Sequence, residues 1–176
     1  EMPDGTLFML TGDIPAMWLC DSTAQLGPYL HFAAEDQTIS DMIAAVSRRQ
    51  IEYVLLDPYA NAFNAAPDGS GHQSDLTEQS PWIWERKYEV DSLCYPVQLA
   101  HDLWATTGRT DHLGESFARA ARAIIELWRT EQDHEARSTY RFERFDCPST
   151  DTLVREGRGS ETVPTGPTAT YTKVTD

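Results

Sequence analysis

Cysteine is scarce: Cys20, Cys94 and Cys147 are the only three in 176 residues, and they lie far apart. None forms a CxxC pair or a Cys/His cluster with zinc-ligand spacing. The odd, sparse count favours reduced thiols in a cytoplasmic protein over a disulfide framework. Basic residues are also few, with 14 Lys and Arg against 28 Asp and Glu, a formal net charge of −14. That balance excludes the basic surface needed to displace counterions from nucleic acid, and it fits a soluble protein with a neutral or cationic ligand. No run of eighteen apolar residues occurs, so neither a membrane span nor a membrane partner is expected. No basic segment precedes an apolar core, so no signal peptide is expected; the chain opens at Glu1, and a fragment of a longer protein is the expectation. There is no GxGxxG and no P-loop to support a nucleotide fold, and few alternating runs to support a β-rich one.

What is present is helical periodicity. About 40% of the residues are hydrophobic, enough to build a core. Thr6 to Trp18 read as an extended piece and a tight loop, after which Asp21 or Ser22 caps a short helix to Phe32. Thr38 reads as an N-cap for Ile39, Met42, Ile43 and Val46, predicting a helix over Thr38–Leu56 that ends before Pro58. The Gly-, Ser-, Asp- and Pro-rich stretch from Pro67 to Ser80 predicts an exposed loop. Leu93 or Cys94, Val97, His101 and Trp104 fall on one face, predicting a helix over Ser92–Thr106 with Gly108 as its C-cap. Phe117, Ala121, Ile124 and Trp128 predict a helix over Asp111–Glu131, joined to the previous one as an αα-hairpin. From Thr162 to Asp176 no period is visible, and weak structure is expected.

Four polar-aromatic blocks interrupt this pattern. They are Thr11-Gly12-Asp13-Ile14-Pro15-Ala16-Met17-Trp18-Leu19-Cys20-Asp21-Ser22, Asp57-Pro58-Tyr59-Ala60-Asn61-Ala62-Phe63-Asn64, Trp84-Glu85-Arg86-Lys87-Tyr88-Glu89-Val90-Asp91-Ser92 and Cys94-Tyr95-Pro96. A sugar site needs aromatic faces against the C–H side of a pyranose, and fixed polar groups to replace the water lost by its hydroxyls. Trp18, Trp82, Trp84 and Tyr59 supply faces. Asp13, Asp21, Asn61, Asn64, Glu85, Arg86, Lys87, Glu89 and Asp91 supply hydrogen bonds. Taken singly, each aromatic is equally at home in a core, and each charge on a solvated surface or in a structural ion pair.

The blocks closely resemble those of glycoside hydrolase family 125. Its first signature runs Thr-Gly-Asp-Ile-Pro-Ala-Met-Trp-Leu-Arg-Asp-Ser; the second matches Asp57 to Asn64; the third runs Trp-Glu-Arg-Lys-Tyr-Glu-Ile-Asp-Ser-Leu-Cys-Tyr-Pro. The resemblance covers Asp4 to about Gly166. It implies a mainly α fold, part of an (α/α)6 toroid, with residues 1–166 its N-terminal portion and 167–176 a divergent or truncated tail. It also implies exo-action on α-1,6-linked mannose with inversion of configuration, a mannose-containing oligosaccharide as ligand, and neither metal nor cofactor.

Inversion needs an acid and a base on opposite faces of the scissile bond, roughly 6.5–9.5 Å apart. The family's acid follows a Thr-Gly-Met-Thr-Trp-Ser-Gly-Phe-Arg-Pro block, whereas Thr165-Gly166 is followed here by Pro167-Thr168-Ala169-Thr170. Neither catalytic carboxylate is therefore assigned in this chain, with Glu89 and Asp91 as fallback candidates for the acid. Cys20 stands where the family has arginine, and a thiol cannot replace the fork of donors on a guanidinium. Two other readings stay open: a degenerate or truncated non-catalytic relative, and a helical interaction module.

Overall fold

The computed structural model describes residues 1–142, Arg144, and two short strands, Glu161–Thr162 and Thr172–Lys173, which pair antiparallel. Cys147 and the expected boundary at residue 166 lie outside the described residues. The ordered body is mainly helical: α1 spans Leu19–Ala33, α2 Gln37–Leu56, α3 Val90–Thr107, α4 Glu115–Glu131, and the single turn α5 His134–Arg137. Three very short strands, β1 Met17–Trp18, β2 Ala62–Phe63 and β3 Ile83–Glu85, form one antiparallel sheet in the order β1-β2-β3.

The helix expectations hold with shifted starts. Asp36, not Thr38, caps α2: its carboxylate accepts the backbone N–H of Thr38 at 2.8 Å and of Ile39 at 3.2 Å. α1 begins at Leu19, before Asp21 and Ser22, because Trp18 ends the strand that feeds it. α3 starts at Val90 and ends at Thr107, capped by Gly108, whose φ of 73° is the left-handed conformation that glycine adopts without a Cβ clash. α4 starts four residues later than Asp111, since the Asp111 carboxylate is held by Arg109 at 2.7 and 2.8 Å.

Two tertiary expectations are corrected. α3 packs mainly on α1 and α2, while α4 packs mainly on α2, so the helix that follows α3 through a short turn leans chiefly on α2 and little on α3 itself. Arg109, in the turn between them, reaches Ser40 Oγ at 2.8 Å and Asp41 at 2.9 Å, pinning that turn to the start of α2. The second correction is the buried face of α3. Leu93, Leu99, Ala100 and Leu103 are fully buried, while Cys94, His101 and Trp104 are exposed. The Leu/Ala row meets α1 and α2, and the period of the helix does not by itself say which of its two apolar rows is covered.

The result is two layers, α1 with α3 and α2 with α4, with Leu26, Ile43, Val54, Leu99 and Ile124 in the shared core. This is the two-layer packing of part of an α/α toroid. Gln50, fully buried on α2, ties its end to the start of α1, with Nε2 donating to Ser22 Oγ at 2.8 Å and Thr23 Oγ1 at 2.9 Å.

Candidate functional site

The sheet brings the blocks together. Trp18 pairs with Ala62, and Ala62 with Glu85. Leu19 N–H donates to the Asn61 carbonyl at 3.1 Å, and Asn61 N–H to the Glu85 carbonyl at 3.2 Å. The starts of α1 and α3 are thereby anchored to the same sheet. Each carries an acid in its first turn, Asp21 and Asp91, where the unsatisfied N–H groups of a helix favour negative charge.

Asn61 is the hub. It is 1% exposed, and its Nδ2 donates to Glu85 Oε2 at 2.7 Å and Glu89 Oε2 at 3.2 Å. Its Oδ1 accepts from the Lys87 backbone at 3.3 Å. Ser92 Oγ donates to Glu89 at 3.3 Å, and Lys87 Nζ stands 3.4 Å from the same carboxylate. The two glutamates have opposite electrostatics. Burial pushes both up, but hydrogen bonds from Asn61 and Arg144 and the charges of Arg144 and His72 bring Glu85 below its ordinary range. At Glu89 burial prevails, helped by the charges of Asp91 and Glu85, and the group is raised despite Lys87. The arrangement offers buried acceptors of fixed direction on a sheet whose edge strand carries the half-buried Trp18, which suits hydroxyl groups.

The sequence profile described as metal-independent alpha-mannosidase (GH125) matches residues 2–176. This chain belongs to that family. A solved Streptococcus pneumoniae structure, described as a metal-independent alpha mannosidase in a non-productive complex with alpha-1,6-mannobiose, is 54% identical with a TM-score of 0.85; the match covers 90% of this chain and 37% of that one. The meiotically up-regulated gene 157 protein of Schizosaccharomyces pombe is 30% identical over 167 residues, covering 86% of this chain and 33% of its own length. The chain thus spans about a third of the relatives it matches.

Within this GH125 chain the signature residues divide into two groups. Trp18, Asn61, Glu85, Lys87 and Glu89 meet at the sheet, with Asp21 and Asp91 exposed at the adjoining helix starts. Asn64, Tyr59 and Arg86 are engaged elsewhere. Asn64 Nδ2 donates to the carbonyls of Ser70 and Pro81 at 3.0 Å, closing the loop between them. Arg86 pairs with Asp57 at 2.6 Å and lies 5.2 Å from the ring centres of Tyr59 and Tyr140, which stack on each other. Tyr59 Oη donates to the buried Glu131 at 2.8 Å. These three brace the blocks from behind. Asp13 is exposed on the loop before β1, and Trp84 is half-buried on the face of β3 opposite Glu85, under Gly71.

Cys20 sits at the acidic edge of the hub. Its Sγ donates to Asp21 Oδ2 at 3.1 Å. Burial pushes its thiol well above the ordinary range, reinforced by the hydrogen bond to Asp21 and the charges of Asp21, Asp91 and Glu89. His72 and Arg144, absent from the sequence reading, also reach Glu85, at 3.8 and 2.7 Å. Neither falls in a signature block, and Arg144 lies 59 residues from its partner, so no local pattern marks them.

Proposed function

We propose that this chain forms one wall of the terminal-mannose subsite of an exo-acting, inverting α-1,6-mannosidase. The observation that carries this reading is the Asn61 hub, which holds Glu85 and Glu89 on the sheet that anchors Trp18 and the acid-bearing starts of α1 and α3. In this reading Trp18 supplies a face for the pyranose, and Glu85, Glu89, Asp21 and Asp91 accept its hydroxyls. Lys87 balances charge and Asn61 fixes direction.

In this reading the two glutamates are not the inverting pair. Both accept from one Asn61 nitrogen, at 2.7 and 3.2 Å, so those oxygens are no more than about 6 Å apart, short of the roughly 6.5–9.5 Å that leaves room for the attacking water. They also come from one short segment of chain, whereas acid and base must flank the bond. Binding and orientation are the contribution of this segment, and neither member of the catalytic pair is assigned to it.

The test uses the purified chain with α-1,6-mannobiose and an aryl α-mannoside. The disaccharide is expected to shift the Trp18 indole and Asn61 amide resonances, with no mannose released. Turnover above that of an E89Q/D91N control would place the acid in this segment. Resonances of Trp18 and Asn61 that stay still up to high millimolar sugar would defeat the subsite reading.

A further inference from the structure

The Pro67–Ser80 stretch reads by composition as a solvated loop, yet Asp75 within it is 7% exposed. The loop runs along β3 and is fastened to it. Gly69 N–H donates to the Pro81 carbonyl at 3.1 Å, His72 N–H to the Trp84 carbonyl at 2.8 Å, and Gln73 Nε2 to the Ile83 carbonyl at 2.8 Å. This fastening delivers Asp75 to Arg144. The guanidinium grips Asp75 with both prongs, Nε to Oδ1 at 2.7 Å and Nη2 to Oδ2 at 2.6 Å. The same Nη2 donates to Glu85 Oε1 at 2.7 Å. A bidentate grip fixes the plane of the guanidinium, and hence the direction of the donor it turns toward Glu85.

We propose that Asp75 and Arg144 are positioning residues that lock the Glu85 carboxylate in its acceptor orientation for a sugar hydroxyl. The inference rests on the subsite reading above. Each Glu85 oxygen is held by a donor from a different part of the chain: Oε1 by Arg144, Oε2 by Asn61. With both ends fixed, the carboxylate loses little rotamer freedom when a ligand arrives, and its remaining lone pairs already point where they are needed. The guanidinium also offsets the cost of keeping this carboxylate ionised while only 8% exposed. Among the described residues, the charged and titratable groups around Glu85 are Arg144 and His72 on one side, Glu89 and Lys87 across Asn61, and Asp75 behind Arg144.

A brace that only fastened the loop would alter stability and leave Glu85 alone. The experiment therefore follows Glu85 directly, by carbon-detected NMR titration of its carboxyl in the full chain, with an α-1,6-mannobiose titration alongside. R144Q is expected to raise the Glu85 midpoint by about one pH unit or more, the size of losing an adjacent opposite charge. It should weaken mannobiose binding about tenfold. R144K keeps the charge but not the fork, so it should restore most of the midpoint and only part of the affinity. D75N should leave Glu85 ionised yet weaken binding, because an amide offers one acceptor oxygen in place of the two that set the guanidinium plane. Amide spectra identify any variant that fails to fold, and R144K and D75N carry the test if R144Q is lost. A Glu85 midpoint unmoved by R144Q, or by R144K and D75N with affinity intact, overturns the proposal. If the midpoint moves but the wild-type chain binds no mannobiose, the sugar reading fails and the lock on Glu85 stands.

Discussion

Introducing arginine at Cys20 probes the position where the sequence departs from the signature that the family resemblance implies. The thiol sits against Asp21, and the charges of Asp91 and Glu89 act on it as well. A guanidinium there would place a positive charge beside Asp21, Asp91 and Glu89, opposing the burial that chiefly holds Glu89 up and the charges of Asp91 and Glu85 that add to it. A hydrogen bond to a charged group contributes about 1.5–3 kcal/mol. Asp21 and Asp91 are exposed and screened, so the lower end applies, equivalent to about tenfold in affinity. C20R should therefore tighten α-1,6-mannobiose binding by about tenfold, measured by NMR titration, and lower the Glu89 carboxyl midpoint. The stability sign follows. A carboxyl raised in the folded state binds protons more readily there than in the unfolded chain, so it lowers stability as pH rises through its titration range. Relieving it should raise Tm at neutral pH. Unchanged affinity with a shifted Glu89 would refute the sugar contact at this position; no change in either would refute the electrostatic description of the cluster.

Gly71 has a φ of 99°, and a Cβ there would collide with the Trp84 backbone carbonyl, so G71A should displace the loop from β3 and lower stability by about 1–3 kcal/mol in urea unfolding. Glu131 is buried and accepts from Tyr59 Oη at 2.8 Å and from His134 Nδ1 at 2.6 Å; E131A leaves both donors unmatched and should cost about 2–3 kcal/mol, read as a lower urea midpoint. Asp111 is held at about 2, chiefly by its hydrogen bond from Arg109. Its contribution is present above the ordinary aspartate range and is lost as pH falls through about 2. Urea midpoints should therefore drop between about pH 5 and about pH 2, and D111N should flatten part of that fall.

The sequence by itself determined that this chain is helical and which family it belongs to. Repeats such as Ile39, Met42, Ile43 and Val46 arise only where a helix buries one face, and long polar-aromatic blocks in fixed order are too specific to arise from packing alone. Tertiary structure decided which residues of those blocks share a site. Asn61 and Asn64 stand in one block and look equivalent as letters, yet one joins Glu85 and Glu89 while the other closes a loop. Glu85 and Arg86 are neighbours that face opposite sides of an extended segment, so one enters the hub and the other lies against Tyr59 and Tyr140. Cys94, His101 and Trp104 repeat at helical spacing and remain exposed, because α1 and α2 cover the Leu/Ala row instead. Periodicity records that a residue repeats on a face; only the partner packed against that face decides whether it is covered. Arg144 shows the same limit at longer range, since its bonds to Glu85 and Asp75 span 59 and 69 residues.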